Sequence, residues 1–412
     1  SKPSTNSVST EIKIIVEKCE ENAELEVNEV ARLFESRGND FSFVTNRADS
    51  LRKQVNGDIV SYVVNRNINY TNVCYFKCQF CAFSKGKHSE NLRGKPYDIS
   101  AEEIARRCRE AWDRGASEVC MQGGIHPDYT GQTYLDILAT VKQAAPGIHV
   151  HAFSPLEVWQ GAETLGLSLE AFLIKLKKAG LSTLPGTAAE ILHDEVRAKI
   201  CPDKLSTREW IEVMETAHGV GFNTTATIMY GHVERPHHWA SHLLEVKALQ
   251  QRTNGFTEFV PLPYVHMEAP MFLKGKSRSG PTFREAILMH SVSRLVFHGL
   301  IPNIQTSWVK MGEKGVIACL QAGANDLGGT LMNESITRAA GANYGQEWPP
   351  AMIEQTIKSI SRTPRMRTTL YQDAPDPRRK LAFNAVKLKE IENNSAGKLQ
   401  RSKRLENLAQ VS

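Results

Sequence analysis

From Asp58 onward the sequence alternates short β-rich runs with stretches of helical spacing, and few folds accommodate that alternation. Eight runs read as strands: Ile59–Val64, Glu118–Met121, His149–Phe153, Thr183–Pro185, Thr224–Met229, Glu258–Pro261, Asn303–Thr306 and Asn325–Leu327. Between them lie amphipathic helices. "DISAEEIARRCREAWDRG" opens on a capping box, Ser100 with Glu103, and then sets Ile104, Cys108, Ala111 and Trp112 on one face. Leu169, Phe172, Leu173 and Leu176 repeat the pattern, as do Trp239, Leu243, Val246 and Leu249, and later Phe283, Ile287, Leu288, Val292, Leu295 and Val296. Strands joined by helices pair in parallel, and eight such units favour closure into a (β/α)8 TIM-type barrel. An open doubly wound sheet is the alternative. Residues 1–57 read as a helical lead-in, 58–371 as the barrel with C-terminal helices, and 372–412 as a polar, charged tail.

A parallel barrel collects its chemistry where strands end and loops begin. The first strand exits into "NYTNVCYFKCQFCAFSKG", which holds Cys74, Cys78 and Cys81 at spacings of x3 and x2, with an aromatic, Phe80, just before the last. Three thiolates are one ligand short of the usual zinc or iron–sulfur complement. One reading is a closed Cys3His zinc site completed by His88. A second is a chance group of core thiols. The third is a 4Fe–4S cluster with one iron left for an external chelator, a role that the amine and carboxylate of S-adenosylmethionine suit. Reductive cleavage of that sulfonium yields a 5′-deoxyadenosyl radical.

The other strand exits are "MQGGIHP", "HVHAFSPLE", "LPGTAAEIL", "TATIMYGHVE", "PLPYVHME", "QTSWVKMG" and "NDLGGTLMNES". Each has a bland reading. Gly123–Gly124 is a turn; His126, His151 and His266 are hydrogen-bonded structural histidines; Glu190 and Glu234 cap helices or face solvent. Their coincidence at nearly every exit is what a large polar barrel mouth requires.

The net charge of +5 is modest for 412 residues, and the basic excess of the last 50 residues lacks interleaved aromatics, so no nucleic-acid partner is expected. No apolar run is long enough to span a bilayer, and the polar opening is not a signal peptide. Eight cysteines in a chain with its own core read as thiols of a reducing, intracellular compartment, cytoplasmic or organellar. The chain does not open on Met and reads as a processed form or part of a longer polypeptide.

The stretches "GDIVSYVVNRNINYTNVC", "CQFCAFSKG", "QGGIHP", "NIQTSWVKMG", "AGANDLGGTLMNESITRAAGA" and "RTPRMRTTLY" carry a resemblance that runs from about Leu25 to Tyr371. The sequence resembles the radical S-adenosylmethionine (SAM) superfamily and, within it, the deazaflavin-forming FO synthases. The resemblance implies that Cys74, Cys78 and Cys81 ligate the cluster, that Phe80 lies beside the adenine, and that Gly123 and Gly124 receive the methionyl amine. It implies a polar contact from Glu190 to the ribose or methionine moiety. "TIMYGHVE" is similar to a relaxed glycine–isoleucine–glycine–glutamate motif, with Thr227 and Met229 replacing two of its usual residues near the adenine.

Position alone puts Gln305, Ser307 and Asn325 at the substrate, with His151 and Asp326 in catalysis. The implied reaction cleaves the Cα–Cβ bond of L-tyrosine and transfers its 4-hydroxybenzyl group to 5-amino-6-(D-ribitylamino)uracil. Implied partners are an electron donor such as flavodoxin or ferredoxin, and a second radical SAM component, fused or separate, because the chain holds a single Cys-x3-Cys-x2-Cys loop. Two alternatives stand beside this one: a radical SAM enzyme of the futalosine route to menaquinone, and a zinc-stapled binding protein without catalysis.

Overall fold

The computed structural model describes residues 7–76, 78–81, 95–333 and 347–394. The first expected strand is two: β1 (Ile59–Val63) and β2 (Asn65–Asn69), separated at Val64 because the chain changes neighbours there. β2 starts a parallel run through β3 (Glu118–Gln122), β4 (His149–Ala152), β5 (Thr183–Leu184), β6 (Asn223–Tyr230) and β7 (Phe256–Pro263). β1 pairs in parallel with β8 (Asp326–Gly329) on one side and with β9 (Thr363–Arg367) on the other.

Isolated bridges join the two sheets. Phe259 pairs with Ile304, Gln305 with Asp326, and Met332 with Arg66, which carries the parallel order round to its start. The expected (β/α)8 arrangement is therefore present, but its seventh strand, Asn303–Thr306, is reduced to two bridges. β9 was not foreseen. It lies against the first half of the long β1–β2 strand, where β3 does not reach.

The inward and outward faces of the strands are both covered, as a parallel sheet requires. Val119, Met121, Val150, Ala152, Ala226 and Ile228 are fully buried, each large aliphatic contributing roughly 1.5–3 kcal/mol by its burial. The helix Ala101–Asp113 starts where the capping box placed it, with Ser100 Oγ accepting from Glu103 N at 3.2 Å. Lead-in helices Thr10–Glu20, Val27–Phe34 and Gly38–Asn56 cover the outside of the barrel, Gly38–Asn56 against Phe283–Val296 and Val27–Phe34 against Pro236–Thr253.

The tail expected to be loose or peripheral is, up to Asn394, laid along the helix Ala101–Asp113. Arg107 Nη2 donates to the Glu392 carbonyl at 2.8 Å, Arg114 Nε to that of Val386 at 2.8 Å, and Asp98 N to that of Asn394 at 3.0 Å. Among the described residues no helix is long and apolar enough to cross a membrane.

Candidate active site

The cysteine loop leaves the C-terminal end of β2 and is pinned on every side. Thr71 Oγ1 donates to the Tyr97 carbonyl at 2.8 Å and accepts from Val73 N at 3.1 Å. Asn72 Oδ1 accepts from Tyr97 N at 2.8 Å. Farther along, Tyr75 N donates to the Ile125 carbonyl at 3.2 Å, and Gln79 N to that of Ile200 at 2.9 Å. Cys78 is buried, Cys74 and Cys81 are half-buried, and none of the three is in a disulfide. His88, which the zinc reading needs, lies outside the described residues.

Gly123 and Gly124 follow β3 and are glycines because the cysteine loop occupies the space beside them. A Cβ on Gly124 would collide with the Val73 carbonyl oxygen and lie 2.9 Å from Cys74 Cβ; one on Gly123 would collide with the Tyr70 ring. Their N–H groups are already used. Gly123 N donates to Glu157 Oε1 at 3.1 Å, and Gly124 N to the Thr71 carbonyl at 2.9 Å. With those N–H groups taken, the acceptors left on this backbone are its carbonyl oxygens, that of Gly124 already accepting from His126 N at 3.1 Å. Carbonyl oxygens suit an ammonium and not a carboxylate.

Sequence reasoning missed two charged residues here. Glu157, in the capping box of the helix Pro155–Leu165, is wholly buried and accepts from Gly123 N, from the Tyr70 hydroxyl and, at 2.7 Å, from Ser154 N. Burial pushes its carboxyl up to about 8. Its capping pattern, "SPLE", was readable; its reach to the glycine pair was not.

The second is Lys204. Its ammonium lies 3.5 Å from Glu190 Oε1 and 5.0 Å from the centre of the Phe80 ring. Burial opposes its charge, but Cys78 in its thiolate form and then the Glu190 carboxylate favour it, and its value stands above the ordinary lysine range. Burial also pushes the metal-free Cys78 thiol up to about 12, with Lys204 acting against it, so iron binding has to displace that proton.

Glu190 itself has a left-handed backbone, φ 46°. It is held there by Met229 N, which donates to its carbonyl at 2.9 Å, and by Arg197, whose guanidinium bonds the carbonyls of Ala188 and Ala189 just before it. Thr227 Oγ1 donates to the Gly186 carbonyl at 2.6 Å. The structure thus brings Cys74, Cys78, Cys81, Phe80, Gly123, Gly124 and Glu190 to one end of the barrel, with Met229 bonded through its backbone to Glu190. Glu234 ends as a cap: it accepts from His232 N at 2.9 Å, from Gly231 N and from the Trp239 indole.

Asn325 and Asp326 lie elsewhere. Both were expected to end the last strand and point into the mouth; Asp326 instead opens β8, at the opposite, N-terminal end. It is fully buried and accepts from Ser61 Oγ at 2.5 Å, Arg367 Nε at 2.5 Å and Nη2 at 2.8 Å, and Gly328 N at 2.7 Å. The Asn325 amide oxygen accepts from Arg294 Nη2 at 2.7 Å and Ile304 N at 2.8 Å, while Nδ2 donates to Asn303 Oδ1 at 3.1 Å. Both side chains are committed to joining barrel segments.

Around them Glu258 is reached by Arg367 and by the Tyr371 hydroxyl, and Glu118 by Thr369 Oγ1 at 2.5 Å. Residues 367–371 therefore floor the barrel. His151, on β4, is buried with Nδ1 2.6 Å from Thr183 Oγ1. Gln305 is half-buried against Gly328, where a Cβ would strike its side-chain amide, and Ser307 caps the helix Trp308–Leu320 without a side-chain capping bond.

Residues 68–246 match the Radical SAM superfamily, and residues 253–380 match the CofH/MqnC C-terminal region. The chain belongs to the radical SAM superfamily, in the branch that carries that C-terminal region. It is 49% identical over 328 residues to the 5-amino-6-(D-ribitylamino)uracil–L-tyrosine 4-hydroxyphenyl transferase of Methanocaldococcus jannaschii, covering 79% of this chain and 90% of that one. It is 48% identical over 354 residues to the FO synthase of Streptomyces avermitilis, covering 86% of this chain and 41% of that one. The chain thus spans about two fifths of the length of the FO synthases it matches.

Among solved structures it is similar to methylornithine synthase (PylB), with TM-score 0.64 and 17% identity over 85% of this chain and 97% of that one. It is similar also to the [FeFe]-hydrogenase maturase HydG, with TM-score 0.67 and 15% identity over 89% of this chain and 78% of that one. These two likenesses concern the fold.

Membership of the superfamily implies a 4Fe–4S cluster and SAM, and the residues fit both. One pinned loop supplies three thiols, a fixed cation sits beside them, and the adjacent glycine pair offers carbonyl oxygens for an ammonium.

Proposed function

We propose that this protein cleaves the Cα–Cβ bond of L-tyrosine and transfers the 4-hydroxybenzyl group to 5-amino-6-(D-ribitylamino)uracil, releasing 2-iminoacetate, methionine and 5′-deoxyadenosine. The observation that carries the reading is the 49% identity that extends over 90% of a transferase named for those two substrates. The cluster and SAM together supply a carbon-centred radical able to abstract hydrogen.

The chain's own residues do the rest. Cys74, Cys78 and Cys81 hold the cluster. The carbonyl face of Gly123–Gly124 receives the methionyl ammonium, Phe80 flanks the adenine, and Glu190 with Lys204 offers one anion and one cation to the polar parts of SAM, with Thr227 and Met229 completing that wall. Gln305 and Ser307 stand as the substrate-facing candidates and His151 as the catalytic one. Asn325 and Asp326 are assigned to the floor, where Arg367 and Tyr371 close the far end of the barrel and keep water from the reacting centre.

An external one-electron donor is required. A second radical SAM activity, on the same or another polypeptide, completes the deazaflavin. The deciding experiment is an anaerobic assay of cluster-loaded protein with SAM, tyrosine and the ribitylaminouracil. A coupled adduct together with glyoxylate, from hydrolysis of 2-iminoacetate, is expected. Turnover of tyrosine without an adduct, or an adduct only with a substrate of the menaquinone route, would overturn the proposal.

A further inference from the structure

Gln79, between Cys78 and Cys81, ties the cysteine loop to a segment for which the reaction has no use. Its carbonyl accepts from Met271 N at 2.7 Å, and its side-chain oxygen accepts from Lys274 Nζ at 3.5 Å. Met271 belongs to the single-turn helix Pro270–Leu273, which follows β7 at the mouth of the barrel. Met271 is buried, but the outer side of the same segment is not: Met267 is 43% exposed and Leu273 61%. Lys274, Gly275 and Lys276 continue the exposed surface.

Residues 265–278 carry Lys274, Lys276 and Arg278 against Glu268; with Arg278 paired at 2.7 Å to Glu285 outside the segment, the local excess is one positive charge. Among the described residues neither Lys274 nor Lys276 is paired with a carboxylate. Large apolar side chains left in water beside lysines that no carboxylate neutralises are the composition of a small transient interface steered by charge.

We propose that this face, Met267, Leu273, Lys274 and Lys276, docks an acidic one-electron carrier protein of the flavodoxin or ferredoxin kind. The inference rests on the cluster assignment for Cys74, Cys78 and Cys81. The carrier loses one electron and the cluster gains one, with no other bond made or broken. Charge complementarity selects the occupant, and the Met271–Gln79 hydrogen bond sets the docked carrier against the loop that holds the electron's destination.

The test compares wild type with Leu273→Ser/Lys276→Glu, both loaded with cluster. Bleaching of the cluster absorbance is followed anaerobically with flavodoxin hydroquinone, with reduced ferredoxin and with dithionite. Reduction by at least one carrier protein slows roughly tenfold in the variant, and the wild-type rate with that carrier falls as salt is raised. Reduction by dithionite is unchanged.

The single variant Lys276→Glu, at an exposed position, gives a smaller loss of the same sign with iron per chain unaltered, which separates docking from damage to the loop. Wild-type rates in both variants with both carriers, or rates indifferent to salt, would overturn the docking face alone. A wild-type protein with no dithionite-reducible cluster would overturn the cluster assignment, and the docking face with it.

Discussion

Arg367 grips Asp326 with two parallel bonds, Nε to Oδ2 at 2.5 Å and Nη2 to Oδ1 at 2.8 Å, both side chains buried at the N-terminal end of the barrel. The pair joins β9 to the first residue of β8, and Ser61 adds β1 to the same carboxylate. Removing one partner of a buried bidentate pair strands the other charge, at about 3–5 kcal/mol. Asp326→Asn is therefore expected to lower the thermal midpoint markedly. Adding Arg367→Met to that variant should recover part of the loss, because the stranded guanidinium is gone. Unchanged melting with loss of turnover only would return Asp326 to catalysis.

That residue shows where the sequence misled. Gly328–Gly329 has the composition of a turn, so the strand before it was expected to stop at Leu327. The glycines are in β8 instead, because Asn65 and Gln305 fill the space where their Cβ atoms would be. Asn65, far earlier in the chain than Gly329, is not visible in a local window. The same holds for Asn303–Thr306, whose weak pairing depends on its neighbours, and for Lys204, placed at Phe80 by tertiary folding. The cysteine loop was legible because ligand spacing is local, and the alternating units because buried faces repeat within a single helix.

Cys74→Ala, Cys78→Ala and Cys81→Ala should each abolish bound iron, since two thiolates do not hold the cluster. Cys201 is the control. It follows Ile200, whose carbonyl bonds Gln79 N, and is one of the groups acting on Lys204. Iron per chain should be normal in Cys201→Ala. Loss of iron in that variant would make Cys201 a fourth ligand, closing the coordination position that SAM needs.

Lys204→Met removes the one positive charge set between Phe80 and Glu190. An ammonium near a cluster favours its more negative, reduced form, so the variant's reduction potential should fall by roughly 60 mV, equivalent to about 1.4 kcal/mol. Lys204→Arg should keep most of the potential. An unchanged potential, read by redox titration of the cluster signal, would confine Lys204 to packing.

Glu157 makes stability depend on pH in a direction opposite to most acidic residues. Burial raises its folded value to about 8, so the folded chain holds a proton there that the unfolded chain has released. Its contribution is full below the unfolded value of about 4.3 and declines as pH rises toward about 8. Glu157→Gln should flatten the fall in melting temperature between about pH 5 and pH 8. An equally steep fall in the variant would assign the slope to another group.

The last expectation concerns which hydrogen leaves tyrosine. Abstraction from Cβ would put the unpaired electron on the carbon that must depart and would give no cause for Cα–Cβ scission. An electron on the amine nitrogen sits β to that bond, so fragmentation yields the imine and a stabilised benzylic fragment in one step. The amine hydrogen exchanges with water. In deuterium oxide, unlabelled tyrosine should therefore give 5′-deoxyadenosine carrying one deuterium, with glyoxylate appearing from the imine. Carbon-deuterated tyrosine in ordinary water should give unlabelled 5′-deoxyadenosine. The reverse pattern would sink the mechanism. Loss from the phenol would also draw on solvent, and O-methyltyrosine separates the two: if it fits the pocket, nitrogen abstraction predicts cleavage that still incorporates solvent deuterium, and phenol abstraction predicts none.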